Sequence, residues 1–163
     1  RNNEINGQGT MIFPGHWVYE GGFKDGLLHG EGEHKFSDGR RYVGEFKNSL
    51  RHGKGIITSP SYVYEGEWKE GKFYGQGTMT LDNVSTYIGK WKDSLKNGDG
   101  TMTYADGGTH FGKWKNGRLI GKVTVTCPDK KILVGKHKYS DKGPILILSD
   151  GSIYLFKNKN GSC

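Results

Sequence analysis

A pattern of Tyr, any residue, Gly, any residue, aromatic returns along this 163-residue chain at a nearly constant interval. That period limits the fold more than any other feature of the sequence. The pattern starts at Tyr19, Tyr42, Tyr64, Tyr87, His110 and Leu133, with a degenerate start at Tyr154, so the intervals are 23, 22, 23, 23, 23 and 21 residues. Further into each unit comes a glycine pair: Gly30/Gly32, Gly53/Gly55, Gly75/Gly77 and Gly98/Gly100, weakening to Gly121/Val123 and Gly143/Ile145. Several units close on an Asp-Gly turn, at Asp38-Gly39, Asp106-Gly107 and Asp150-Gly151. Gly7-Gln8-Gly9 reads as the second half of a repeat whose first half is absent. A chain of this kind folds by stacking small like units, each touching only its neighbours.

Within a unit the alternation is that of strands. In Tyr64-Gly66-Trp68 a ring, a bare backbone and a ring share one face, while Glu65, Glu67 and Lys69 share the other. The segment from Lys69 to Tyr74, with Gly71 inside it, is expected to be the hairpin turn. Gly75, Gly77, Met79 and Leu81 then return on the ring side. Glycine weakens a strand unless something approaches its backbone closely, and the aromatic rings of the adjoining strand are the expected visitors. No stretch carries the apolar spacing of an amphipathic helix, so essentially no helix is expected.

Composition excludes several alternatives. The chain holds 28 glycines, yet it lacks the every-third-residue glycine of collagen, and its 4 Trp, 9 Tyr and 7 Phe exclude a flexible linker. The longest aliphatic run, Ile145 to Leu148, is far short of the roughly 20 apolar residues that span a bilayer, and no basic-then-apolar leader opens the sequence. Cys127 and Cys163 make at most one bridge, so a reducing, intracellular setting is expected.

The segments YEGEWKEGKFYGQGTMTL (64 to 81) and YEGGFKDGLLHGEGEHKFSDG (19 to 39) resemble the membrane occupation and recognition nexus, or MORN, repeat. The resemblance covers nearly the whole chain. It implies an all-β fold, an elongated single-layer twisted antiparallel sheet of successive 23-residue hairpins. Residues 1–18 would be a partial repeat, 19–153 about six tandem repeats and 154–163 a degenerate half-repeat. Roughly fourteen strands about 4.8 Å apart would make a ribbon on the order of 65 Å long. Departures from the family pattern are Ser49 and Ser94, where glycine is favoured in the turn, and His137 and Asn158 in place of the aromatic. The resemblance further implies a non-enzymatic scaffold in cytoskeletal, ciliary, flagellar or membrane-associated assemblies, with self-association through ribbon ends or edges. The alternatives are a peripheral module that binds acidic phospholipid and the regulatory repeat region of a larger protein.

Two candidate surfaces follow. One is the ring stripe Tyr19, Phe23, Tyr42, Phe46, Tyr64, Trp68, Tyr87, Trp91 and Trp114, expected to be partly accessible as a groove for an amphipathic helix of a partner protein. The other lies on the opposite face. Residues 1–82 carry 10 basic and 11 acidic side chains, net −1, whereas the remainder carries 14 and 6, net +8. Lys90, Lys92, Lys113, Lys115, Lys136 and Lys138, followed by Lys157 and Lys159, point away from the rings and alternate with Thr78/Thr80, Thr101/Thr103 and Thr124/Thr126. This Lys/Thr plate either solubilises an open sheet or meets an anionic partner such as a phosphoinositide-bearing membrane or an acidic protein tail. Nucleic acid is disfavoured because bases could not stack on rings that face away from the lysines. No catalytic constellation, cofactor fingerprint or metal-ligand spacing is found. His29 and His52 fall at equivalent positions expected to lie in turns, where Tyr74 and Asn97 also occur, and the Gly-x-Gly pairs lack the strand-to-helix context of a phosphate loop.

Overall fold

The computed structural model describes residues 5–82, 84–141 and 143–156. Among them the chain is strand and turn throughout, with no helix, in two compact units, Arg1–Asp82 and Asn83–Cys163. The first unit holds β1 (Gly7–Phe13), β2 (Trp17–Lys24), β3 (Leu27–Phe36), β4 (Arg41–Lys47), β5 (Leu50–Thr58), β6 (Tyr62–Lys69) and β7 (Lys72–Leu81). The second holds β8 (Ser85–Lys92), β9 (Leu95–Tyr104), β10 (Thr109–Lys115), β11 (Arg118–Thr126), β12 (Ile132–Ser140), β13 (Gly143–Leu148) and β14 (Ile153–Leu155). In each unit the strands run antiparallel in chain order and the sheet stays open.

The hairpin turns are tighter than the sequence suggests. Between β6 and β7 only Glu70 and Gly71 are outside the strands, at φ 51° and 79°, so Lys72 to Tyr74 belong to the ladder. Positive φ at both central residues gives a turn whose twist matches that of the strands it joins. Asn48-Ser49 and Asp93-Ser94 adopt the same geometry, with Ser49 at 63° and Ser94 at 62°. In the first of these the Ser49 hydroxyl accepts a 3.2 Å bond from the Leu28 amide, a contact glycine could not make. His29 and His52 likewise lie within β3 and β5 and not in turns. The alternate connections close on aspartate: Asp38, Asp106, Asp129 and Asp150 each accept from the amide two residues on, at 2.9 to 3.0 Å.

The five repeats that start at Tyr19, Tyr42, Tyr64, Tyr87 and His110 each contain one bulge, just after the glycine of the pattern, at Gly21/Phe23, Gly44/Phe46, Gly66/Glu67, Gly89/Trp91 and Gly112/Lys113, whereas β12 and β13 pair in unbroken register. On β7, Gly66 faces Gly77 while the next residue, Glu67, faces Tyr74, so the return strand carries extra residues there. Gly75, at φ 57°, makes that detour, and the Gln76 amide it frees from the ladder donates to Glu67 at 2.8 Å. Glu45 takes the Lys54 amide at 2.7 Å in the repeat before. Bulges of this type bend the strand and raise its twist.

The core sits over the facing glycines. A Cβ on Gly77 would lie 2.6 Å from Cζ of Tyr64, and one on Gly66 would lie 2.7 Å from its hydroxyl oxygen. The ring therefore lies flat on bare main chain, where any side chain would displace it. Gly77→Ala is expected to destabilise the first unit by about 3 kcal/mol, the scale of an overpacked core. Urea unfolding followed by tryptophan fluorescence measures this, and a loss below about 1 kcal/mol would show that the ring can move aside.

Candidate functional site

On the ring face each tyrosine is held from three sides. Its hydroxyl donates to a carbonyl beside the bulge: Tyr19 to Gly22, Tyr42 to Glu45, Tyr64 to Glu67 and Tyr87 to Lys90, at 2.9 to 3.2 Å. Its ring meets the aromatic of its own repeat edge-on, as with Tyr42 and Phe46 at 5.1 Å, and Tyr19, Tyr42 and Tyr87 also meet that of the following repeat, as with Tyr42 and Trp68 at 5.1 Å. Trp68 and Trp114 in turn donate Nε1 to the carbonyls of Gly55 and Gly100, at 3.0 and 3.1 Å. T-shaped pairs of this kind add roughly 0.5–1.5 kcal/mol each beyond area burial.

This arrangement corrects the expected accessibility of the stripe. Tyr19, Tyr42, Tyr64 and Tyr87 are at most 1% exposed, and Phe23, Phe46, Trp68, Trp91 and Trp114 at most 7%. The sheet is one layer thick, but adjacent rings cover each other and the next residue along the return strand closes the remaining gap. That residue is Leu28, Arg51, Phe73, Lys96 and Leu119 in successive repeats, nine residues after each start. Leu28 and Leu119 are buried, and Phe73 stacks on Tyr64 at 3.9 Å. The other two positions hold cations. Arg51 lies 5.3 Å from the Tyr42 ring and 5.2 Å from Trp68, and Lys96 lies 5.0 Å from Tyr87 and 4.9 Å from Trp114. Each is half-buried and, among the described residues, makes no ion pair. Removal from water pulls the Arg51 guanidinium below its ordinary range and the Lys96 ammonium down to about 8. The sequence pattern pointed to the rings and missed the cations seated between them, although their shared offset from the repeat start was a signal.

The opposite face carries the lysines as expected, and apolar side chains that were not. Across β8 to β12, Ile88 opposes Thr101, Thr101 opposes Phe111, Phe111 opposes Thr124 and Thr124 opposes Val134. Phe111 is 53% exposed and Ile88 57%. Lys90, Lys92, Lys113, Lys115, Lys136 and Lys138 are all exposed, while Lys157 and Lys159 lie outside the described residues. In the first unit Glu45 and Glu67 stand where Lys90, Lys113 and Lys136 do, whereas Lys24, Lys47 and Lys69 match Lys92, Lys115 and Lys138. Glu67, which caps the Gln76 amide, is replaced one repeat later by Lys90, whose stem lies along Gly98.

The last repeats build their core differently. His110 and Leu133 stand where tyrosine did, and Val123 fills the space above Gly112 that a larger ring would take, its methyl 2.8 Å from the position of a Cβ. Leu119, Val123, Val125, Leu133 and Leu146 are buried there. Phe156, absent from the sequence reading, lies 5.1 Å from His110 and 6.3 Å from His137. Asn158, expected to replace the repeat's aromatic, lies outside the described residues. Cys127 is buried and disulfide-bonded, which runs against the reducing setting expected from the two cysteines; the chain's other cysteine, Cys163, also lies outside the described residues. Among the described residues no cluster of His, Cys, Asp or Glu could hold a metal ion, and no helix is long and apolar enough to cross a membrane.

Comparison with known proteins agrees with the period. The family model described as MORN repeat matches five times, at residues 1–18, 19–40, 42–62, 64–83 and 87–109. No curated protein matches the chain.

Burial sets the pH range of the ring face. His34 is stacked on Phe36 at 4.1 Å beside Trp17, and burial, aided by Arg51 and Arg40, holds it below its ordinary 6.5. Burial also lowers His137, although a bond to the Leu119 backbone opposes it. A base with a depressed folded pKa stabilises the fold above its unfolded value, and that contribution is lost as pH falls below 6.5. Tyr42, Tyr64 and Tyr87 are raised by burial above their ordinary 10.0, Tyr87 to about 12, so their contribution is present below 10.0 and lost as pH rises beyond it. Thermal unfolding by circular dichroism should thus be most resistant between these limits. Replacing His34 and His137 by Phe should flatten the acid side alone, and an unchanged acid limb would exclude both histidines as its cause.

Proposed function

The chain belongs to the MORN repeat family, and on that premise we propose that it is a non-enzymatic scaffold that binds partner proteins through its ring side. The observation that carries this reading is the pair of half-buried cations, Arg51 and Lys96, each held between two rings with no carboxylate beside it. A partner element that lays apolar side chains against Phe73 or Leu119 and brings an acidic side chain to Arg51 or Lys96 would supply the missing counter-charge. It would do so where water is already partly excluded and charge-assisted bonds are strong. Because the rings themselves are buried, they serve as the floor that sets the spacing, and the partner reads the residues seated on them. Assemblies of the cytoskeleton, cilium or flagellum, or at membrane junctions, are the settings this scaffold would serve.

The test leaves the rings intact. Arg51→Gln with Lys96→Gln removes both charges while keeping an unbranched polar side chain, and the thermal melt of the variant is compared with that of wild type. Partners recovered from cell extract and identified by mass spectrometry should fall about thirtyfold or more on the folded variant, the scale of losing one partner of a desolvated charge pair. Equal recovery on both proteins would remove the ring side from the binding reaction.

A further inference from the structure

The middle rows of the two units' solvent faces differ in sign: glutamates prevail in the first, beside Lys54 and with Glu33 paired to Lys35 and Arg41, and lysines prevail in the second. In the first, Glu20 opposes Glu33, Glu33 opposes Val43, Val43 opposes Ile56 and Ile56 opposes Glu65. One row over, Glu31 opposes Glu45 and Lys54 opposes Glu67. In the second, the corresponding rows are Ile88, Thr101, Phe111, Thr124 and Val134, and beside them Lys113 opposing Asp99 and Lys122 opposing Lys136. Since both faces are built from the same hairpin, their charges recur at the same pitch, two strands or about 9.6 Å per repeat. Among the described residues, Glu20, Glu65, Lys113 and Lys136 make no ion pair.

Shape agrees with charge. The acidic face contains an open cleft of about 540 Å³ around Val43, Gly44, Gly55, Ile56 and Gly66, rimmed by Glu65. Glycine leaves its floor low, and Val43 and Ile56 make its wall apolar. The basic face carries Phe111 as a projecting apolar side chain next to Lys113. A ring entering the cleft would set the lysine beside it against the glutamate rim.

We propose that the lysine face of the second unit docks on the glutamate face of the first unit of another copy of this chain. An anionic membrane would satisfy the lysines alone; a second copy satisfies both faces and covers Phe111. The contact is independent of the ring side, so its failure leaves the scaffold reading untouched.

Sedimentation of the whole chain across a concentration series decides the matter. At low salt the weight-average mass should rise above the 18.1 kDa of one chain by about twofold or more. Near 1 M salt, where the screening length is about 3 Å, it should fall back toward one chain. Glu20→Lys with Glu65→Lys, and separately Lys113→Glu with Lys136→Glu, should each sediment as monomers with unchanged thermal melts, as should Phe111→Ser. Mixing the two charge-reversed proteins should restore association, because the intact lysine face of one meets the intact glutamate face of the other, and a single chain carrying both sets of reversals should also associate. A wild-type chain that stays monomeric at low salt would overturn the proposal. So would association unaffected by either reversal, or a monomer that instead co-sediments with phosphatidylserine vesicles through Lys113 and Lys136.

Discussion

A tyrosine ring lying on two facing glycines is the contact from which the rest of each repeat follows. With Gly66 opposite Gly77, the Tyr64 ring settles on main chain, and its hydroxyl reaches the Glu67 carbonyl at the bulge. Because the extra residues of the bulge lie on β7, alternation along β6 holds Trp68 on the same face as Tyr64, and Trp68 bonds back to the repeat before through the Gly55 carbonyl. One placement therefore sets strand register, local twist and the link between neighbours. A sheet one layer thick has no second layer to bury its apolar face, and here aromatic rings laid sideways do that work with 28 glycines in place of a larger aliphatic core.

Changes from that pattern are compensated locally. When tyrosine gives way to His110, the facing glycine gives way to Val123, so volume is conserved above Gly112. When glycine in the hairpin gives way to Ser49, the hydroxyl gains the Leu28 amide. The side opposite the rings has no such constraint, because its residues face solvent and need only suit a strand. Its charge has accordingly diverged from glutamate in the first unit to lysine in the second without altering register, and the same freedom admits Ile88 and Phe111 at exposed positions.

Much of the fold was legible because period and alternation are local properties. The Tyr-x-Gly pattern identified the strands, their two faces and the glycines beneath the rings, and Asp38, Asp106 and Asp150 marked turns that the structure contains. The turn at Glu70-Gly71 was read too long because Tyr74 lies beyond the bulge, where the count on one strand no longer matches the other. Ring exposure was also misjudged. Alternation shows which face a side chain takes, but whether Tyr42 is covered depends on Arg51 and on Trp68 from the next hairpin.

The sequence by itself determined the all-β hairpin repeat, its period, the separation of a ring face from a charged face and the change of sign between residues 1–82 and the remainder. These rest on spacing along the chain, and a strand's two-residue alternation converts spacing directly into sides. Tertiary structure alone decided that the rings are core and not an open groove, that Arg51 and Lys96 sit between them, and that Phe111 stands among the lysines beside threonines of two other strands. Each of these depends on which residues meet across strands after the bulges have shifted the register, and that follows only from the folded ladder.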